Sequence, residues 1–436
     1  MHIVFKDESL LYYIFNFLII NLNQREILSC VCSLWHYYLN KIKFQKLTHL
    51  FESDLSKFTI KKLKYLGCLS IDTSKISHIN SIKYLPNLTN LTYLYIGKYV
   101  FNIIKDDDLK HIETLTHLKT LKLISINNIR NLEHIAHLTH LNNLWINSMH
   151  NITDIGFSHL SKLTQLTELN ISECSNISDN GCQILTVFTN LKILDLSYCN
   201  KITNITIDYI SEHLISLEAC WSPISKVNYS PNLEYLSLGF CRVNLDFLVN
   251  CHNLNKLILN TCGLTSTQYL NSLSKLEYLD LGCSIYLDEI IDFKLSTHIK
   301  YLSWGYFRKI NPKLDFILNL TDLQVLRLGA IDEVDLEILS NLNLEKISFK
   351  ASRDFDPKAL SNFLSVMPKL QSIIIHDLDN YKESRVPHIK MIRYSDPYFF
   401  YNSQKYEYLY NDLHTMNIPM DIFDHFLTDR LFYNLK

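Results

Sequence analysis

A short apolar pattern, L-x-x-L-x-L, recurs along most of the chain, and no other feature limits the fold as strongly. Clear copies begin at Leu118, Leu141, Leu166, Leu191, Leu233, Leu254, Leu276 and Leu323, and weaker ones at Leu66, Leu91, Leu214, Ile299, Leu344 and Leu370. Steps run from 19 to 27 residues, with a mean of about 23. In a short strand the side chains alternate, so the fourth and sixth positions share one face. The first position closes the same apolar layer from the preceding turn. A coil of this size cannot bury its apolar face alone, so stacked neighbours must complete the core.

Pattern and period together are those of leucine-rich repeats. The ninth position turns inward after the strand and is often cysteine: Cys174, Cys199, Cys241 and Cys262. A small side chain with a weak donor suits a buried position that must satisfy backbone groups. Two copies continue with Asn151-Ile152-Thr153-Asp154-Ile155-Gly156 and Asn176-Ile177-Ser178-Asp179-Asn180-Gly181, each followed by helically spaced apolar residues. Thr or Ser before Asp suits a helix start. The shorter steps downstream favour short or 3₁₀ helices. Gly97, Gly239, Gly282, Gly305 and Gly329 all occupy the seventh position, which predicts a backbone fit or room for bulky neighbours, or else a bare patch for a partner. The expected architecture is an α/β solenoid, a curved parallel sheet with helices or turns on the convex side. A small all-α unit at 5–44 precedes the array at 45–379, and a carboxy-terminal cap occupies 380–436.

Residues 5–44 do not carry the repeat. Asp7-Glu8, Leu10-Leu11, Ile14-Phe15-x-Phe17-Leu18 and Val31-Cys32-x-x-Trp35 resemble an F-box. The repeats that follow are similar to the cysteine-containing leucine-rich repeats of F-box/LRR proteins, with L-x-x-L-x-L-x-x-C-x-x-I-[ST]-D-x-G matched at 166–181. The abundance of Asn, Ile, Lys and Tyr is similar to such proteins of large DNA viruses or protists. The resemblance implies a substrate-recognition adaptor of an SCF-type ubiquitin ligase. Leu10, Leu11, Ile14, Phe15, Leu18, Val31, Cys32 and Trp35 would dock a Skp1-like adaptor, and through it a cullin ligase, while the repeats hold a protein substrate. A second reading keeps a protein-interaction scaffold with a degenerate F-box and no ubiquitin role. Phe5-Lys6, standing where the family has Leu-Pro, favours it.

The substrate surface is expected at strand positions between the core residues, on the concave face. These positions hold Trp145, Glu168, Asp195, Tyr198, Glu218, Trp221, Tyr235, Phe240, Tyr278, Asp280, Tyr301 and Tyr306. Exposed aromatic residues are common interface anchors, but aromatics at equivalent positions of neighbouring strands can instead pack laterally on one another. The acidic members would select a partner with a basic segment.

Other functions find little support. The 42 basic and 44 acidic residues leave a net charge of −2, not the basic surplus a nucleic-acid binder needs. The nine glycines are too dispersed for a phosphate loop. His134, His137 and His140 form H-x-x-H-x-x-H, yet no Cys or carboxylate completes a spaced ligand set in sequence, so neither metal nor cofactor is expected. No hydrolase or metalloprotease motif occurs, which points away from an enzyme. Leu10–Leu22 is apolar but shorter than a membrane span, and no C-x-x-C occurs among the eleven cysteines. An intracellular location, cytoplasmic or nuclear, is the corresponding expectation.

Overall fold

A computed structural model of the chain describes residues 46–50, 67–72, 82–97, 104–210, 212–227, 231–262, 268–282, 295–304, 314–331, 333–351, 357–376 and 390–394. The F-box-like stretch, Tyr306 and the tail beyond 394 lie outside them. Contacts divide the chain into two compact units between Ile177 and Ser178.

The first unit holds six parallel strands: β1 (Lys46–Leu50), β2 (Cys68–Asp72), β3 (Tyr93–Gly97), β4 (Thr120–Leu123), β5 (Asn143–Trp145) and β6 (Glu168–Asn170). Each pairs with its neighbours in chain order. The second unit repeats the arrangement with β7 (Ile193–Asp195), β8 (Ser216–Glu218), β9 (Tyr235–Ser237), β10 (Lys256–Ile258), β11 (Tyr278–Asp280) and β12 (Tyr301–Trp304). It continues through β13 (Val325–Ile331), β14 (Lys346–Ala351), β15 (Ser372–His376) and β16 (Lys390–Tyr394). All these pairings are parallel, as the expected leucine-rich-repeat solenoid requires.

The repeat sets the register. Fourth-position residues lie side by side, as Leu121, Leu144 and Leu169 in one unit and Leu217, Leu236, Leu257, Leu279, Leu302 and Leu326 in the other. All of them are buried, as are the sixth-position residues Leu123, Ile146, Leu196, Leu238 and Leu259. Alternation along the strand puts both rows on the core side.

The return segments follow the coil length only in part. The helices predicted after Thr153 and Ser178 are α1 (Asp154–Ser158) and α2 (Asp179–Cys182), each continuing as a 3₁₀ turn, and α3 (Asn204–Ile207) starts in the same way after Thr203. The cap residues Thr153, Ser178 and Thr203 each accept a backbone N–H through the side-chain oxygen. The described return segments at 246–250, 268–272 and 314–319 are 3₁₀, as the shorter coils predict. True α-helices reappear in α4 (Glu333–Leu339) and α5 (Pro357–Val366). The coil containing α4 spans only 21 residues from Leu323 to Leu344, so length alone does not decide the helix type.

Polar side chains tie successive coils together away from the sheet. Asp179 accepts from the backbone N–H of Thr203 (2.9 Å) and Thr206 (3.1 Å) and from both threonine hydroxyls. Burial raises its carboxyl pKa, but the four hydrogen bonds outweigh that and hold it below the ordinary value. Asp106 does the same for Arg130 and Asn131, and Asn204 for Ser225 and Lys226.

The ninth-position side chains form a second ladder. Cys174 Sγ donates to the Ile146 carbonyl (3.0 Å), Ser222 Oγ to Leu196 (2.8 Å), Cys241 Sγ to Ala219 (3.0 Å) and Cys262 Sγ to Leu238 (2.9 Å). Each acceptor is the sixth-position carbonyl of the preceding coil. This is the inward, donor-supplying role predicted for the position. Burial also pushes the thiols of Cys241 and Cys262 up, so they remain protonated donors.

The seventh-position glycines make room for side chains. A Cβ on Gly239 would sit 2.0 Å from Asn260 Oδ1, and one on Gly97 would sit 2.8 Å from Tyr95 Oη. Gly156, on α1, is tighter still, because its Cβ would stand 1.9 Å from the Arg130 carbonyl oxygen. That obstacle is backbone and cannot rotate away. Gly156→Ala should therefore destabilise the chain by about 2 kcal/mol or more. Urea unfolding checks this; a variant as stable as wild type would show that α1 can withdraw from the preceding coil.

Candidate interaction surface

The expected surface took in the third, fifth, seventh and eighth positions of each coil, of which the third and fifth lie in the strands and were expected to face solvent. Most do not. In the first unit Trp145 is 1% exposed. Lys122 Nζ lies 3.2 Å from its ring centroid, and Glu168 accepts from its indole N–H and from the Asn143 amide. Cation, ring and carboxylate thus come from three successive strands and satisfy one another.

The second unit builds a larger version. Tyr278 and Tyr301 stack with centroids 4.0 Å apart and planes 2° from parallel. Half-buried Lys256 sits over both Tyr235 (5.2 Å) and Tyr278 (4.4 Å). Desolvation pushes the Lys256 ammonium down to about 8, although the Glu218 and Asp280 charges favour its protonated form. Burial likewise raises the phenols, Tyr301 to about 12 and Tyr235 and Tyr278 well above their ordinary range. The expected acidic anchors are internal too. Asp195 is 1% exposed and accepts from the Ser197 N–H, and buried Asp280 accepts from the Gly282 N–H. A basic partner would meet few of these charges. The reason is lateral packing: strands stand about 4.8 Å apart, so long residues at equivalent positions cover each other.

The exposed aromatic surface lies three residues later, at the eighth position. Tyr198 and Trp221 stack at 5.9 Å and 15°, and Trp221 and Phe240 at 3.9 Å and 17°. Trp221 is covered on both faces yet 45% exposed, while Tyr198 and Phe240 are half-buried. All three have left-handed backbone, with φ of 61°, 58° and 64°. Ser125, Ser148, Glu173 and Thr261 hold the same position and conformation in their own coils. The geometry has a clear cause. The eighth-position N–H donates to the seventh-position carbonyl of the next coil, as Tyr198 to Cys220 (2.7 Å), Trp221 to Gly239 (2.9 Å) and Phe240 to Asn260 (2.9 Å). A left-handed residue turns the corner without breaking this row. The sequence gives no warning, since none of the seven is Gly, Asn or Asp, the residues that adopt this region most readily.

The histidine run also differs from its sequence reading. Glu113, from the preceding coil, approaches His134 Nδ1 at 2.6 Å and His137 Nδ1 at 3.8 Å. The carboxylate missing from the local sequence thus arrives across the stack. Among the described residues, no group of His, Cys, Asp and Glu could hold a metal ion. No helix among them is long and apolar enough to cross a membrane.

Two measurements test this surface. Left-handed backbone disfavours a Cβ by about 1–2 kcal/mol. Trp221→Gly should therefore be more stable than Trp221→Ala by about 1 kcal/mol in urea unfolding, the reverse of the usual order in regular structure. Lys256 titrates near 8 when folded and near 10.5 when unfolded. The unfolded chain binds the extra proton between these values, so stability rises with pH there. Wild type should gain stability relative to Lys256→Met between about pH 8 and pH 10; parallel pH profiles would show that Lys256 keeps an ordinary ammonium.

No family model matches the chain, and no curated protein matches it. Solved structures do. An internalin of Listeria monocytogenes aligns with a TM-score of 0.53 and 23% identity, covering 76% of this chain and 94% of the other. A leucine-rich-repeat protein of Leptospira interrogans aligns with a TM-score of 0.47 and 19% identity, covering 76% and 94%. The likeness to the internalin is one of fold, and the one-strand-per-repeat parallel sheet described above is that of a leucine-rich-repeat solenoid.

Proposed function

We propose that the chain is a non-catalytic scaffold that recognises another protein. The observation that carries this reading is the exposed stack of Tyr198, Trp221 and Phe240, held on a rigid row of coils. Rings fixed by their neighbours lose little side-chain freedom on binding, which suits them as anchors. In the same unit, the cluster of Lys256 with Tyr235 and Tyr278 packs strands of the coils that carry the ladder and the coils that follow.

The finer reading joins this scaffold to the F-box-like segment. Leu10, Leu11, Ile14, Phe15, Leu18, Val31, Cys32 and Trp35 would dock a Skp1-like adaptor, making the chain the substrate receptor of an SCF-type ubiquitin ligase. The support is the Val31-Cys32-x-x-Trp35 ending and the order of F-box first, repeats second.

Co-purification with a Skp1-like protein tests the finer reading. Wild type should retain the adaptor, and the double variant Ile14→Asp/Trp35→Ala should lose it. Equal retention, or none by wild type, leaves the scaffold without a ubiquitin role. Protein capture should fall with Trp221→Ala, while Trp145→Ala should act through stability, since its ring is internal. Equal capture by wild type and a folded Trp221→Ala would remove the ladder from the recognition surface.

A further inference from the structure

The ladder rings stand where the backbone least favours them. Glycine adopts left-handed backbone freely, whereas a side chain there is strained. Three successive coils nevertheless place aromatic residues at the position. An observed outlier of this kind directs attention to function.

The ring geometry says what the ladder offers. Trp221 has a neighbour on each face and still shows 45% of its surface, so it presents its edge. The edge of an aromatic ring is the positive end of its quadrupole. The indole edge also carries an N–H, and Trp221 Nε1 has no hydrogen-bond partner among the described residues. Two residues after Phe240, Arg242 is exposed and has no ion pair among the described residues. Two strand carboxylates of the ladder's coils do not present their charge at the surface. Asp195 is buried and bonded, and Glu218 is half-buried beside Lys256.

We propose that the edge of the Tyr198–Trp221–Phe240 ladder, with Arg242, is a docking strip for an extended acidic segment of a partner protein. Side-chain carboxylates accept from the Trp221 N–H and from the Arg242 guanidinium, and the segment runs from coil to coil. The centroids step 5.9 Å and then 3.9 Å, so an extended peptide rising about 3.3 Å per residue crosses the three rings with about three or four residues. This names the partner's chemistry and rests on the recognition reading above.

The test is a selection of random displayed peptides, about a dozen residues long, on the full chain and on Trp221→Gly. Glycine is the substitution that the left-handed position tolerates best, and circular dichroism confirms the fold. Wild type should enrich peptides rich in Asp and Glu. Fluorescein-labelled copies of these should bind about tenfold or more weakly to Trp221→Gly and to Arg242→Ser. Their binding should also weaken in about 0.5 M salt. Neutral or basic winners, or acidic winners that bind both variants like wild type, would overturn the strip and leave the scaffold reading standing. Failure of every arm to enrich any peptide would remove both.

Discussion

Each coil's backbone is completed by the coil beside it. A coil of some twenty residues makes few hydrogen bonds within itself, so strand, corner and return segment all look to a neighbour for partners. The third-position N–H reaches back to the preceding coil, as Lys256 does to Glu234. The sixth- and eighth-position N–H groups reach forward, as Ala219 does to Ser237 and Trp221 to Gly239. The leucine rows, the thiol ladder and the Asp179 clamp occupy space that this backbone exchange has already set.

The same exchange explains the division between core and surface. Residues at one position of the repeat meet their counterparts at strand spacing. Tyrosines at the third position therefore stack on one another, and a lysine among them becomes part of the stack. The corner differs because the chain leaves the sheet there. Its side chains stack in the same way but keep an edge in water, as Trp221 does.

Much of the fold was legible because it is periodic. The leucines announced the strands, Thr153 and Ser178 the helix starts, and the ninth-position cysteines a buried donor, all through local chemistry. The candidate surface was harder to read, since Trp145 and Trp221 look alike in sequence as aromatics near a strand. Their fates depend on Lys122 and Glu168 in one case and on a left-handed corner in the other, and neither shows in a single coil. The glycines do not mark that corner. They occupy the seventh position and admit neighbouring side chains such as Asn260, while the strained residue is the next one along. Glu113 reaches His134 from 21 residues away, a distance over which local spacing carries no signal.

The thiols of Cys174, Cys241 and Cys262 form no disulfide and are buried and tied to the carbonyl of a preceding coil. Each is chemically quiet while its coil stays docked and becomes accessible to an alkylating reagent once the coil lifts away. The row therefore works as a set of intrinsic gauges, in which the rate at which each sulfur is labelled records how often its own part of the stack breathes.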